Sequence, residues 1–156
     1  MTSGPTASDG PDLPADPDLA APAARRFEPS VLAAVALGAL PGGAARYALA
    51  QAVTVPAGRF PWATFWTNLS GSLLLGFLLV LLLQRYPPAT YARAFAGTGF
   101  CGAYTTFSTF SVETDVLVKD GHVALAAAYV VASVVVGLAA VVAGILAGRR
   151  CAGAVA

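Results

Sequence analysis

Apolar residues arrive in four long blocks from residue 30 onward, at 30–53, 62–83, 91–118 and 123–146. A bilayer crossing takes roughly 20 predominantly apolar residues, so each block is long enough to span. The joints are short and carry turn formers: Pro56, Gly58 and Pro61, then Pro87 and Pro88, then Gly121. Trp62 and Trp66 open the second block, where indole rings favour the headgroup zone. The pattern predicts an all-α membrane protein with four transmembrane helices over residues 30–148 and a short tail at 149–156. Residues 1–29 are rich in Pro, Ala, Asp and Ser with almost no aliphatic run, so a disordered tail is expected. They lack the apolar core of a signal peptide, and acids precede the first basic residue.

Within the blocks, small and polar residues recur every four positions, which keeps them on one helix face. They are Gly38, Gly42 and Arg46; then Thr64, Asn68, Ser72 and Gly76; then Tyr129, Ser133 and Gly137, with Gly144 and Gly148 beyond. The glycines read as close helix packing. Pro41, followed by Gly42 and Gly43, predicts a kink in the first helix. Asn68 fits either an interhelical hydrogen bond or a polar site. Arg46 either snorkels to the interface or draws an anion into a vestibule. The first, second and fourth blocks contain no Asp or Glu, and uncompensated positive charge favours an anion as passenger.

The third block departs from the rest. Residues 104–111 read YTTFSTFS, and six of these eight side chains carry hydroxyls. Gly97, Gly99 and Gly102 lie just upstream, so a helix break is expected within the glycine run. A break inside a membrane frees backbone groups that must line a cavity or bind an ion. The spacing puts Phe107 and Phe110 on one face and pairs Thr105 with Thr109 and Thr106 with Phe110. Hydroxyls donate to anions, and aromatic ring edges are electropositive, so the two together could replace the hydration shell of a small anion. The competing reading has each hydroxyl bonding back to a carbonyl four residues earlier. Glu113 and Asp115 are expected near the outer interface, as a solvated helix end or a gating group.

Composition narrows the classes. Hydrophobic residues make up 57% and charged residues 11%, against about 25% charged in a soluble domain. A net charge of +1 suggests no nucleic-acid partner. Cys101 and Cys151 have neither paired spacing nor a neighbouring His, so no disulfide or metal site is expected there. His122 reads as a solvated loop residue. With no nucleophile–base pair or ligand set, an enzyme is not expected.

Three stretches together resemble the small fluoride channel family, CrcB or Fluc: GTGFCGAYTTFSTFSVE at Gly97–Glu113, PGGAARY at Pro41–Tyr47 and TNLSGSLLLG at Thr67–Gly76. The resemblance implies four-span subunits packed as an antiparallel dimer with two fluoride pores at the interface. It implies that Phe107 and Phe110 form an aromatic box for fluoride and that Asn68 contacts the ion. Ser108 and Thr109, with Tyr129 and Ser133, would form a polar track, and Arg46 would stand at the vestibule. Backbone carbonyls of Gly102 and Thr105 would hold a structural sodium that is not transported, and Glu113 matches the acid after the Phe pair. The chain departs from the family at Gly137, where a further hydroxyl can occur, and at Ala103-Tyr104, where Gly and an apolar residue are usual. The implied activity is passive export of cytoplasmic fluoride, which lowers its toxicity. Two alternatives are a four-span multidrug or cation exporter, which needs an embedded carboxylate, and a non-conducting accessory subunit.

Orientation follows the basic residues. Arg25, Arg26, Arg85, Arg93, Arg149 and Arg150 would share one side, six against Arg59 and Lys119, or three with Arg46. Both termini are expected in the cytoplasm in the major orientation at the cell membrane. A dual-topology homodimer needs balanced charge, so the bias favours pairing with an oppositely inserted homologue over self-pairing. Reporters fused to each terminus should read mainly cytoplasmic; equal populations of the two orientations would sink this expectation.

Overall fold

The computed structural model describes residues 28–84 and 90–153. The expected disordered tail lies almost wholly outside the described residues, as do Arg25, Arg26, Arg85, Pro87 and Pro88. The described part is built of helices and the short joints between them. In chain order the elements are α1 (Pro29–Ala52), α2 (Trp62–Gln84), α3 (Thr90–Arg93), a π-helix (Ala94–Cys101), α4 (Gly102–Tyr104), α5 (Phe107–Lys119) and α6 (Val123–Gly153). Among the described residues three helices, α1, α2 and α6, are long and apolar enough to cross a membrane. The first two match their apolar blocks almost end to end. The last runs beyond its block to Gly153, carrying Arg149 and Arg150 into its final turns. Helix α1 continues through Pro41, whose side is exposed, without an interruption of the helix.

The third block is broken, but not where the glycines suggested. The glycine run stays helical, wound as π through Cys101 and as α through Tyr104. The chain leaves the helix at Thr105 (φ −75°, ψ 161°) and Thr106 (φ −148°, ψ 124°), both extended. Helical pairing of Thr105 with Thr109 and of Thr106 with Phe110 therefore does not form. Tertiary contact explains the shift. Helix α1 lies against the π-helix, and a methyl placed on Gly99 would sit 2.5 Å from the Val35 carbonyl oxygen. Gly99 serves close approach, whereas a methyl on Gly97 or Gly102 would meet nothing within 4 Å. The break forms where partners exist for the freed backbone groups.

The most extensive packing joins α2 to α6, with Gly76 and Gly144 set against the opposing backbone. A small core of Phe65, Leu117, Ala126 and Tyr129, supported by Phe60 and Phe110, ties α5 to both. The outward faces carry Leu37, Leu40, Val131, Val135 and Leu138, all exposed. Such faces suit lipid or a second subunit rather than water.

Gly144→Ala would press a methyl into the Leu73 carbonyl. It is expected to destabilise the protein by about 1–3 kcal/mol, read as a lower unfolding midpoint in detergent. Gly153→Ala, which meets nothing within 4 Å, should leave the midpoint unchanged or slightly raised.

Candidate functional site

The break is held from α2 by one side chain. Asn68 accepts the Thr106 N–H at 2.8 Å through Oδ1 and donates through Nδ2 to the Thr106 carbonyl at 2.9 Å. One primary amide thus satisfies both backbone groups of the extended residue and keeps a second N–H free. One residue before the break, Tyr104 is also tied to α2 by a 2.8 Å hydroxyl–hydroxyl contact with Ser70. Its ring stacks on Phe100 with centroids 5.9 Å apart.

Thr106 then starts α5. Its Oγ1 accepts the Thr109 N–H at 3.2 Å, donates to Thr109 Oγ1 at 3.0 Å and lies 3.2 Å from Ser108 Oγ. An N-cap of this kind is worth about 1 kcal/mol. Six Ser and Thr hydroxyls of the third block, from residue 105 onward, divide into two groups. Thr105, Ser111 and Thr114 bond back to the carbonyls of Cys101, Phe107 and Phe110, as the bending reading expected. Thr106, Ser108 and Thr109 bond to one another at the start of α5.

Two cavities flank Thr106. The first, about 370 Å³, is lined by Asn68, Ser72, Thr106, Phe107, Phe110 and Ser133 among others, with no Asp or Glu in its wall. Phe107 and Phe110 have centroids 6.0 Å apart, with planes at 38°. Phe107 is 80% exposed, far too open for a packing role within one chain. Ser133 Oγ is enclosed without a hydrogen-bond partner. The second cavity, about 380 Å³, is lined by Arg46, Tyr47, Thr64, Thr67, Thr106, Ser108 and Thr109. It brings a guanidinium and the first turn of α5 to one space. Unpaired N–H groups and the helix dipole make such a turn favourable to anions.

The expected site residues thus fall into three places. Asn68, Phe107, Phe110 and Ser133 share the first cavity. Arg46, Ser108 and Thr109 share the second. Tyr129, expected on a polar track, is fully buried and lines neither cavity. Its hydroxyl donates to Glu113 Oε2 at 2.9 Å, and Thr64 Oγ1 donates to Glu113 Oε1 at 2.8 Å. Asp115 lies further along α5 in an exposed ion pair with Lys119. Thr106 and Thr64 were missed as site residues. Thr is a favoured N-cap residue, a readable signal for Thr106; Thr64 stood in the stripe with Asn68, but its bond to Glu113, 49 residues on, was not local.

Gly102 and Thr105 retain oxygen donors suited to a hard cation. In an unbroken helix their carbonyls would take the N–H groups of Thr106 and Thr109. Those two N–H groups are given to Asn68 Oδ1 and Thr106 Oγ1. The donor set therefore fits a sodium ion bound through the main chain.

The family model described as CrcB-like protein, Camphor Resistance (CrcB), matches residues 33–145. The chain is 51% identical over 124 residues to "Fluoride-specific ion channel FluC 3" of Streptomyces avermitilis, covering 80% of this chain and 61% of that protein's length. It is 46% identical over 110 residues to "Fluoride-specific ion channel FluC 1" of Mycobacterium bovis, covering 70% of this chain and 83% of that one. With "Fluoride-specific ion channel FluC" of Nitrobacter winogradskyi it shares 45% identity over 116 residues, 74% of this chain and 91% of that one.

The two donors on Glu113 should act together. In a double-mutant cycle, Thr64→Val and Tyr129→Phe are expected to couple by about 0.5–3 kcal/mol in unfolding free energy. Additive effects would mean that the carboxylate does not depend on both.

Proposed function

The chain belongs to the CrcB family, and on that premise we propose that it is a subunit of a fluoride channel that lets cytoplasmic fluoride leave passively across the cell membrane. The observation that carries this reading is the first cavity. It gathers Phe107, Phe110, Asn68 and the unpartnered Ser133 hydroxyl at a helix break, with no carboxylate in its wall.

The mechanism follows from these donors. Arg46 and the start of α5 raise the concentration of anions in the second cavity. Ser108 and Thr109 offer hydroxyls there. In the first cavity, the free N–H of Asn68 Nδ2, the Ser133 hydroxyl and the ring edges of Phe107 and Phe110 replace water around a dehydrated ion. Each contact is modest, so no single one traps the ion, and conduction needs weak binding at several places. Chloride, larger and less demanding of hydrogen bonds, gains less from this lining.

In this reading α3 to α5 make a fourth, interrupted crossing beside α1, α2 and α6. The exposed Phe107 and apolar outer faces support a two-subunit assembly, antiparallel as in the family resemblance. The partner is a second copy or an oppositely inserted homologue, and the excess of basic residues on one side favours the homologue. The carbonyls of Gly102 and Thr105 would hold a structural sodium, whose charge would pin two broken helices together and favour an anion nearby. An exporter would need a titratable carboxylate facing its cargo. The nearest, Glu113, has both oxygens engaged and borders a different cavity.

Liposomes holding the purified protein, alone and with its oppositely inserted homologue, should release fluoride and retain chloride. Phe107→Leu should slow release by about tenfold, the scale of losing one charge-assisted contact. Absence of fluoride release in both preparations would overturn the channel reading.

A further inference from the structure

The two cavities have no residue in common except Thr106, which among the described residues lines both. We infer that Thr106 is the joint of the ion path: its hydroxyl contacts the anion as it passes between the Arg46 cavity and the Phe107–Phe110 cavity. This rests on the fluoride-channel reading and adds to it a contact residue and an order of passage.

Three features support the assignment. The Thr106 backbone is fixed at both N–H and C=O by Asn68, so the side chain is held at one place in the wall. The residue is 8% exposed, so it is a partition between the spaces rather than a group standing in one of them. Its hydroxyl proton points to Thr109 Oγ1, itself a hydroxyl that faces the second cavity. A hydroxyl proton turns about a single bond. An anion reaching Ser108 and Thr109 is a stronger acceptor than the Thr109 oxygen. The Thr106 proton therefore turns to the ion, and on the far side Asn68 and the ring edges take over. No proton leaves any residue, and Thr109 recovers its donor once the ion has moved on.

The test is fluoride efflux from liposomes as a function of internal fluoride, with unfolding midpoints measured in parallel. Thr106→Ser keeps the hydroxyl and the cap and should stay within about twofold of the unaltered protein. Thr106→Val keeps the branched shape and loses the donor; its maximal rate should fall about tenfold or more and its half-saturating fluoride concentration should rise. Loss of the cap alone lowers the amount of active protein without moving half-saturation, so the two effects separate. Thr106→Asp keeps a cap and places negative charge at the joint, so flux should be lost while the unfolding midpoint holds; this variant reads the idea if the valine protein does not fold. Unchanged half-saturation in Thr106→Val, or retained flux in Thr106→Asp, overturns the inference while leaving the channel reading intact. No flux from the unaltered protein with or without its homologue overturns both.

Discussion

A helix can be interrupted inside the helix packing here because one amide answers for the interruption. In hydrocarbon each unsatisfied backbone group costs several kcal/mol. The extended Thr106 exposes an N–H and a C=O together, and Asn68 satisfies both. Without it, the break would carry two such penalties and the chain would gain by closing into continuous helix. The remaining consequences descend from that clamp. Thr106 is free to cap α5, the start of α5 turns toward Arg46, and the carbonyls of Gly102 and Thr105 lose their usual donors.

A clamp is only as firm as the element that bears it. Asn68 lies on α2, which packs along α6 through Gly76 and Gly144 at backbone contact. On the other side, α1 meets the π-helix through Gly38, Gly42 and Gly99. The break is thus suspended between two tightly packed helix pairs, one before it and one beside it. Helix packing and the Asn68 clamp fix the backbone at the break, while the Phe107 ring stays 80% exposed. That division suits conduction, where the frame must be stiff and the contacts with the ion replaceable.

How much of this was readable from residues alone depended on whether the cause was local. The extents of α1 and α2 followed from apolar length and Pro/Gly punctuation, because burial in lipid and turn chemistry act along the chain. The break did not. Gly97, Gly99 and Gly102 marked a backbone that could yield, but glycine also marks close approach, and at Gly99 that is its use against α1. Asn68 was legible as an unusual residue and not as a clamp, since its partner is 38 residues away. The separation of Ser108 and Thr109 from Phe107 and Phe110 follows from helical geometry, since successive residues turn about 100°. The stripe of Tyr129 with Ser133 and Gly137 gave the helix face, whereas the burial of Tyr129 and its bond to Glu113 depend on α5 and were not local.

The burial of Tyr129 also bears on Glu113, an acid close to the proposed anion path. Glu113 follows the Phe pair on α5, and a bare carboxylate there would repel an anion in the neighbouring cavities. Thr64 and Tyr129 each supply a donor, one to each oxygen, so its lone pairs are directed into the core. Phe110 then packs on Tyr129 with centroids 5.1 Å apart, and Phe60 covers the same ring at 5.2 Å. The face that Phe110 offers to the first cavity is apolar on its far side and backed by the very tyrosine that holds the acid. On the proposed path, the Tyr129 hydroxyl thus holds the nearby acid, and Phe110, packed on that tyrosine, lines the first cavity.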